Sequence, residues 1–273
     1  MRIKTVVLLA ALMILAMGSP SLQAQTSQPN KLYQQMNQAE RSAFVAVQAR
    51  SIARQISGRD YEFTPAFETD IQQALDQYTR RIGDGAHGDL GKRDIRFIVE
   101  RGQVQAPTLI AVFKLRDLSP LIGLYIPWVE SEYINFENPN SMGALGMFQF
   151  LPKTGQRYGL SPKDLLDVAK SADAAARYIS DGIDTFKDDP MKEALALLAY
   201  NRGARSTAED LILAGADANK HCSICVLSAE RDRLDQQFRS ESVFYVPRFF
   251  AAAMIGENPA AFGLQSRPLS SFQ

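Results

Sequence analysis

Glu130 has the most unusual chemical setting of any carboxyl in this chain. It follows residues 120–129, a stretch without a charged side chain that includes Leu121, Leu124, Tyr125, Trp128 and Val129. Read as a helix, that stretch ends at Glu130-Ser131. Apolar packing there disfavours the charged carboxylate, and the helix C-terminus adds negative partial charge nearby. Pro127 also frees the Gly123 carbonyl from its helical partner. Both effects raise the carboxyl's pKa, and a carboxyl protonated near neutral pH is suited to donate a proton to a glycosidic oxygen. On position alone, a surface carboxylate at a helix end or half of an ion pair is the better reading.

Two further segments change that weighting. Residues 140–155 read Asn-Ser-Met-Gly-Ala-Leu-Gly-Met-Phe-Gln-Phe-Leu-Pro-Lys-Thr-Gly, where small residues let backbone approach a bulky ligand and Gln149 can hydrogen-bond it. Ala199-Tyr200-Asn201-Arg202-Gly203 then places a phenol and an amide at a helix terminus. Together, Glu130-Ser131, the run from Gly143 to Pro152 and the run from Ala199 to Gly203 resemble the three signature motifs of family 1 lytic transglycosylases. The tail Glu241-Ser242-Val243-Phe244-Tyr245-Val246-Pro247-Arg248, with Asn258-Pro259, resembles the membrane-bound lytic transglycosylase D branch. The resemblance spans about residues 63–264.

The resemblance implies an all-α, lysozyme-like helical catalytic domain, preceded by additional N-terminal helices, that acts on peptidoglycan glycan strands. It implies Glu130 as the single acid/base, cleaving between N-acetylmuramic acid and N-acetylglucosamine and closing a 1,6-anhydro ring without water, cofactor or metal. No second catalytic carboxylate is then required, unlike in the usual two-carboxylate glycosidase. Glu132, about 200° around a continuing helix from Glu130, and Glu137 are expected to be solvated. The same likeness makes Tyr200 the catalytic partner that orients Glu130 or the sugar. It assigns substrate contacts to Ser131, Asn140, Ser141, Gly146, Met147, Gln149, Leu151 and Asn201. Asn140 stands where the family commonly has a serine, and Ser141 follows it, so either is placed to reach substrate. Arg202 replaces a commonly small residue and either binds a muramoyl lactyl or peptide carboxylate or is solvated. A hydrolytic muramidase on the same fold and a catalytically silent glycan-binding protein remain alternatives.

These residues need helices to hold them, and apolar spacing is helical nearly throughout. Ile71, Leu75, Tyr78 and Ile82 form one stripe. Ala172, Ala176, Ile179, Ile183 and Phe186 form another, and Met191, Leu195 and Leu198 a third. Thr64-Pro65, Ser119-Pro120, Ser161-Pro162 and Asp189-Pro190 read as helix starts. Residues 83–91 contain GxGxxG but follow a helix rather than a strand, so a flexible interhelix loop with a solvated His87 is expected instead of a dinucleotide site. Cys222 and Cys225, beside His221, supply half of a zinc site at most. A local disulfide is preferred over free thiols, and those over metal. Residues 211–240 are expected to form a solvated helix plus loop, with docking to another envelope component as the functional alternative.

At the N-terminus, Arg2 and Lys4 precede the apolar residues 6–17, and a cleavage point follows Ala24. This is the order of an export signal, and the apolar run is too short for a membrane span. The chain is thus divided into a signal (1–24), an N-terminal helical extension (25–62), a catalytic domain (63–264) and a C-terminal tail (265–273). A periplasmic location in a Gram-negative cell is expected. With 273 residues, 46% hydrophobic and 22% charged, the chain can bury a core without disulfide support. Thirty basic side chains balance thirty acidic ones, which argues against nucleic acid as partner.

Overall fold

Eleven α-helices carry the described part of the chain, residues 31–216 and 222–272 of a computed structural model. They are α1 (Gln38–Ser57), α2 (Pro65–Thr79), α3 (Ile95–Lys114), α4 (Pro120–Ser131), α5 (Pro152–Arg157), α6 (Val168–Thr185), α7 (Lys192–Arg202), α8 (Ala204–Ala214), α9 (Ser223–Ala229), α10 (Gln236–Ser240) and α11 (Tyr245–Glu257). Among the described residues there is no strand, only an isolated bridge between Leu145 and Phe150. The fold is all-α. The expected export signal and its cleavage point lie outside the described residues, as does His221.

Helix α4 forms the centre because its residues are apolar on every side, and a helix of that kind is stable only when surrounded. Leu121 to Trp128 are all buried, with α3 and α11 packed alongside. Close approach needs glycine at two points. A Cβ on Gly123 would come within 2.3 Å of the Phe113 ring on α3, and one on Gly256 of α11 within 2.3 Å of the Tyr125 hydroxyl.

Thr64-Pro65 and Ser119-Pro120 both open helices, but Ser119 makes no side-chain cap bond and only Thr64 caps as expected. Thr64 accepts from the Phe67 amide at the start of α2, with Pro65 in the first turn. Two starts differ. Ser161-Pro162 leads only into the 3-10 turn Asp164–Leu166, because the Ser161 and Asp164 side chains bond each other and close a short turn. Asp189 caps the turn before α7 through Met191 N at 2.7 Å and is itself buried, taking a further bond from the Ser223 hydroxyl. Ile82 falls just past the end of α2.

Other expectations need correction. The 83–91 loop does connect helices, but it is pinned rather than free. Asp94 accepts from Gly83 N and Gly85 N, and Gly91 N donates to Glu132. His87 is exposed yet stacks on Phe97, ring centroids 4.2 Å apart. In the span 211–240, α9 is largely buried against α2 and α8, Phe238 is buried, and Arg231 binds Asp70 on α2. Within it Arg231 and Asp235 pair with the body, while Ile212 and Leu213 stay exposed and Arg233 pairs with Glu230 at the surface. Cys222 and Cys225 form the local disulfide.

The boundaries at 62 and 264 do not mark gaps in packing. Helix α1 buries Val45, Ala49, Ile52 and Ala53 against its neighbours, and Leu269 of the tail is fully buried. No described helix is long and apolar enough to cross a membrane.

Candidate active site

Glu130 sits in the last turn of α4, and that helix ends abruptly. The next two residues, Glu132 and Tyr133, both take left-handed backbone, with φ of 51° and 60°. For non-glycine residues this conformation costs roughly 1 kcal/mol or more each and persists only where the surroundings enforce it. Here the Tyr133 hydroxyl donates to the Leu124 carbonyl at 2.7 Å. The Glu132 carboxylate is held by Arg81, by Arg93 at 3.0 Å and by Gly91 N at 3.1 Å, while Arg101 binds its carbonyl at 2.9 Å. Glu132 is therefore buried in ion pairs, not solvated. The helix does not continue, and the chain reversal turns this side chain inward.

The Glu130 carboxyl itself is half-buried. Burial pushes its pKa up to about 7, assisted by the like charge of Glu241 and opposed by a hydrogen bond from Tyr245 and the charge of Arg248. The Tyr245 hydroxyl donates to Glu130 Oε1 at 2.8 Å. The tyrosine touching the acid is thus Tyr245, in the first turn of α11, and not Tyr200. The only signal for it in the sequence was its place in the 241–248 resemblance.

Tyr200 lies close enough for the Glu130 charge to push its own hydroxyl pKa up, after burial as the larger cause. Its hydrogen bond, however, goes to the Phe148 carbonyl at 2.9 Å, and its ring meets those of Phe150 and Tyr178. It braces the loop 143–150. Ser131 braces the same loop from the other side, donating to the Met147 carbonyl at 2.7 Å. Being fully buried, Ser131 is a tie between the first and second motifs and not a substrate contact. Met147 is buried as well and offers the loop its carbonyl.

Gly146 is needed for backbone proximity. Its φ is 74°, and a Cβ there would fall 2.2 Å from the Leu165 carbonyl oxygen, so the glycine faces protein rather than an open groove. Gln149 stands at φ 51° with its amide donating to the Gly146 carbonyl at 2.6 Å and its oxygen accepting from Asn140 at 3.2 Å. Asn140 also accepts from Met142 N and Ala144 N and so shapes the turn. Asn140, Ser141 and Leu151 are exposed. Asn201 accepts from Ser242 at 2.8 Å and donates to Glu241 at 3.2 Å, fixing the segment that delivers Tyr245. Arg202 is neither solvated nor free for ligand. Its side chain is 7% exposed and paired with Asp210 and Asp235.

The three motifs therefore meet around one raised carboxyl, tied through Ser131–Met147 and Tyr200–Phe148. Residues 114–222 match the family model described as the transglycosylase SLT domain. Over that stretch the chain is similar to a transglycosylase SLT domain. This lysozyme-like helical body is preceded here by α1, α2 and α3, and domains of this kind act on peptidoglycan as lytic transglycosylases. The matched stretch contains Glu130, the 143–150 loop and Tyr200. It stops short of Tyr245 and Arg248, and so of the segment that carries the D-branch resemblance. No curated protein matches the chain.

Proposed function

We propose that this protein is an exported lytic transglycosylase of the cell envelope that uses Glu130 as its only acid/base. With a pKa near 7, the carboxyl is substantially protonated at neutral pH and donates to the glycosidic oxygen as the bond to muramoyl C1 breaks. The resulting carboxylate takes the proton of the muramoyl C6 hydroxyl, whose oxygen closes on C1 to give the 1,6-anhydro ring. Glu130 ends as it began and no water is consumed. Tyr245 holds the carboxyl in place through both steps. Gln149, Asn140, Ser141 and Leu151, from the second-motif loop and its edges, supply the sugar-facing surface. The basic–apolar–small order of residues 1–24 supports export to the periplasm.

The observation that carries this reading is the raised Glu130 carboxyl bonded to Tyr245 where the three motifs converge. Glu130→Gln is expected to abolish cleavage of purified peptidoglycan while keeping helical content, and wild-type products are expected to show anhydro-muramoyl masses. One observation favours a second reading, hydrolysis. Glu241 brings another carboxylate near enough to raise Glu130 by like charge. Products with reducing muramoyl ends would select it.

A further inference from the structure

Arginines near the acid differ in how fully they are committed. Arg202 is consumed by Asp210 and Asp235, and Arg81 by Glu132 and the Arg93 carbonyl. Arg248 is not. Its Nε bonds the Phe244 carbonyl at 3.3 Å, and among the described residues no carboxylate pairs with it. It stands three residues after Tyr245 on α11, a spacing that puts both on one helix face. Pro247 falls between them in the first turn, where a missing N–H costs nothing.

Arg248 lines a pocket of about 450 Å³ together with Gln77, Tyr78, Arg81, Val129 and Glu132. Its lining residues Trp128 and Val129 immediately precede Glu130 on α4, and Arg248 lies one turn along α11 from Tyr245, whose hydroxyl bonds Glu130, so the pocket adjoins the turn that carries the acid. Within it one carboxylate, Glu132, faces two guanidinium groups, and Arg93 binds that carboxylate's other oxygen. The pocket is left net positive, and walls of low dielectric strengthen that potential.

The sugars of a peptidoglycan strand bear a carboxylate only on the muramoyl substituent, as a free lactyl group or on an attached peptide. We propose that this pocket, anchored by Arg248, binds the carboxylate carried by the muramoyl substituent next to the scissile bond, and so selects acid-bearing strands over neutral glycan. The assignment rests on the lytic reading of Glu130 above.

The test uses binding, with turnover blocked. Full-length Glu130→Gln and Glu130→Gln/Arg248→Met are titrated with three oligosaccharides of equal length: peptide-bearing, peptide-stripped with free lactyl carboxylate, and neutral chitooligosaccharide. Losing a charge-assisted contact is expected to weaken acid-bearing ligand about tenfold and neutral ligand less than about twofold. Whichever acid-bearing ligand loses more identifies the carboxylate's source. Arg248→Lys, which keeps the charge without the fork, is expected to lose only part of that affinity, and it carries the test if the Met variant fails to fold. Equal losses on all three ligands, or none, overturn the assignment while leaving the lytic reading intact. If Glu130→Gln binds no glycan at all, both fall.

Discussion

The proton on Glu130 links catalysis to stability. Its pKa is about 7 in the folded protein against 4.5 for an ordinary glutamate, so between those values the folded state holds a proton that the unfolded state releases. Stability attributable to this group is complete below pH 4.5 and is lost as pH rises toward 7, by about 3 kcal/mol. Glu130→Gln cannot titrate and escapes the loss. Thermal melts of the two proteins should diverge from pH 4 to pH 8, with the Gln variant gaining about 6–12 °C over wild type. A gap that does not change with pH would mean the carboxyl titrates as a solvated acid. Tyr245→Phe acts on the same equilibrium in a known direction. The lost hydrogen bond favoured the charged form, so the Glu130 pKa rises further. The alkaline limb of the kcat profile should move up by as much as about one unit while kcat falls roughly tenfold. The perturbed acid was legible in the sequence because its largest cause, burial, follows from an uncharged helix running into a carboxyl. Tyr245 was not readable as the contact, because it comes from 115 residues downstream and only the packing of α11 on α4 brings it there.

How α4 stops decides where that acid points. Two left-handed residues in succession reverse the chain, and the Glu132 ion pairs with Arg81 and Arg93 hold the reversal. Removing one partner of a buried charge cluster typically costs about 3–5 kcal/mol, since the remaining charges stay buried and uncompensated. Glu132→Gln should therefore lower the melting temperature by roughly 6 °C or more. Cleavage should drop with it, because the 83–91 loop and the end of α4 lose their common tie; an unchanged melt would show the reversal holds itself. Helical periodicity located α2, α6 and α7 because a buried stripe repeats with the helix period. It says nothing about a helix end, where a single αL residue inverts which side chains face inward. Treating α4 as continuing sent Glu132 to solvent, and its arginine partners lie 39 and 51 residues earlier, beyond any local pattern.

Across the molecule, segments distant in sequence support the same catalytic helix. The all-α class followed from the apolar spacing, yet the inward packing of 222–238 and 265–272 did not, because short helices and turns carry too few residues to show a period. Leu269, in the 3-10 turn Leu269–Ser271, is fully buried against α3 and α4. Its side chain would meet a Cβ on Gly102 at 3.1 Å, and the Tyr133 ring fills the rest of that gap at 2.9 Å. Next to it, Ser270 donates through both its amide and its hydroxyl to Glu257, which also receives the Tyr125 hydroxyl from α4. The tail therefore backs the segment 124–133, on which Glu130 sits. Leu269→Ala removes buried methyl groups and leaves a cavity there, at a cost of about 2–5 kcal/mol. Melting should fall by roughly 4–20 °C. Because Tyr245 contacts the acid from α11, the pH at which the kcat profile turns should stay where it is. A shifted profile in that variant would instead mean that tail packing sets the environment of Glu130 directly.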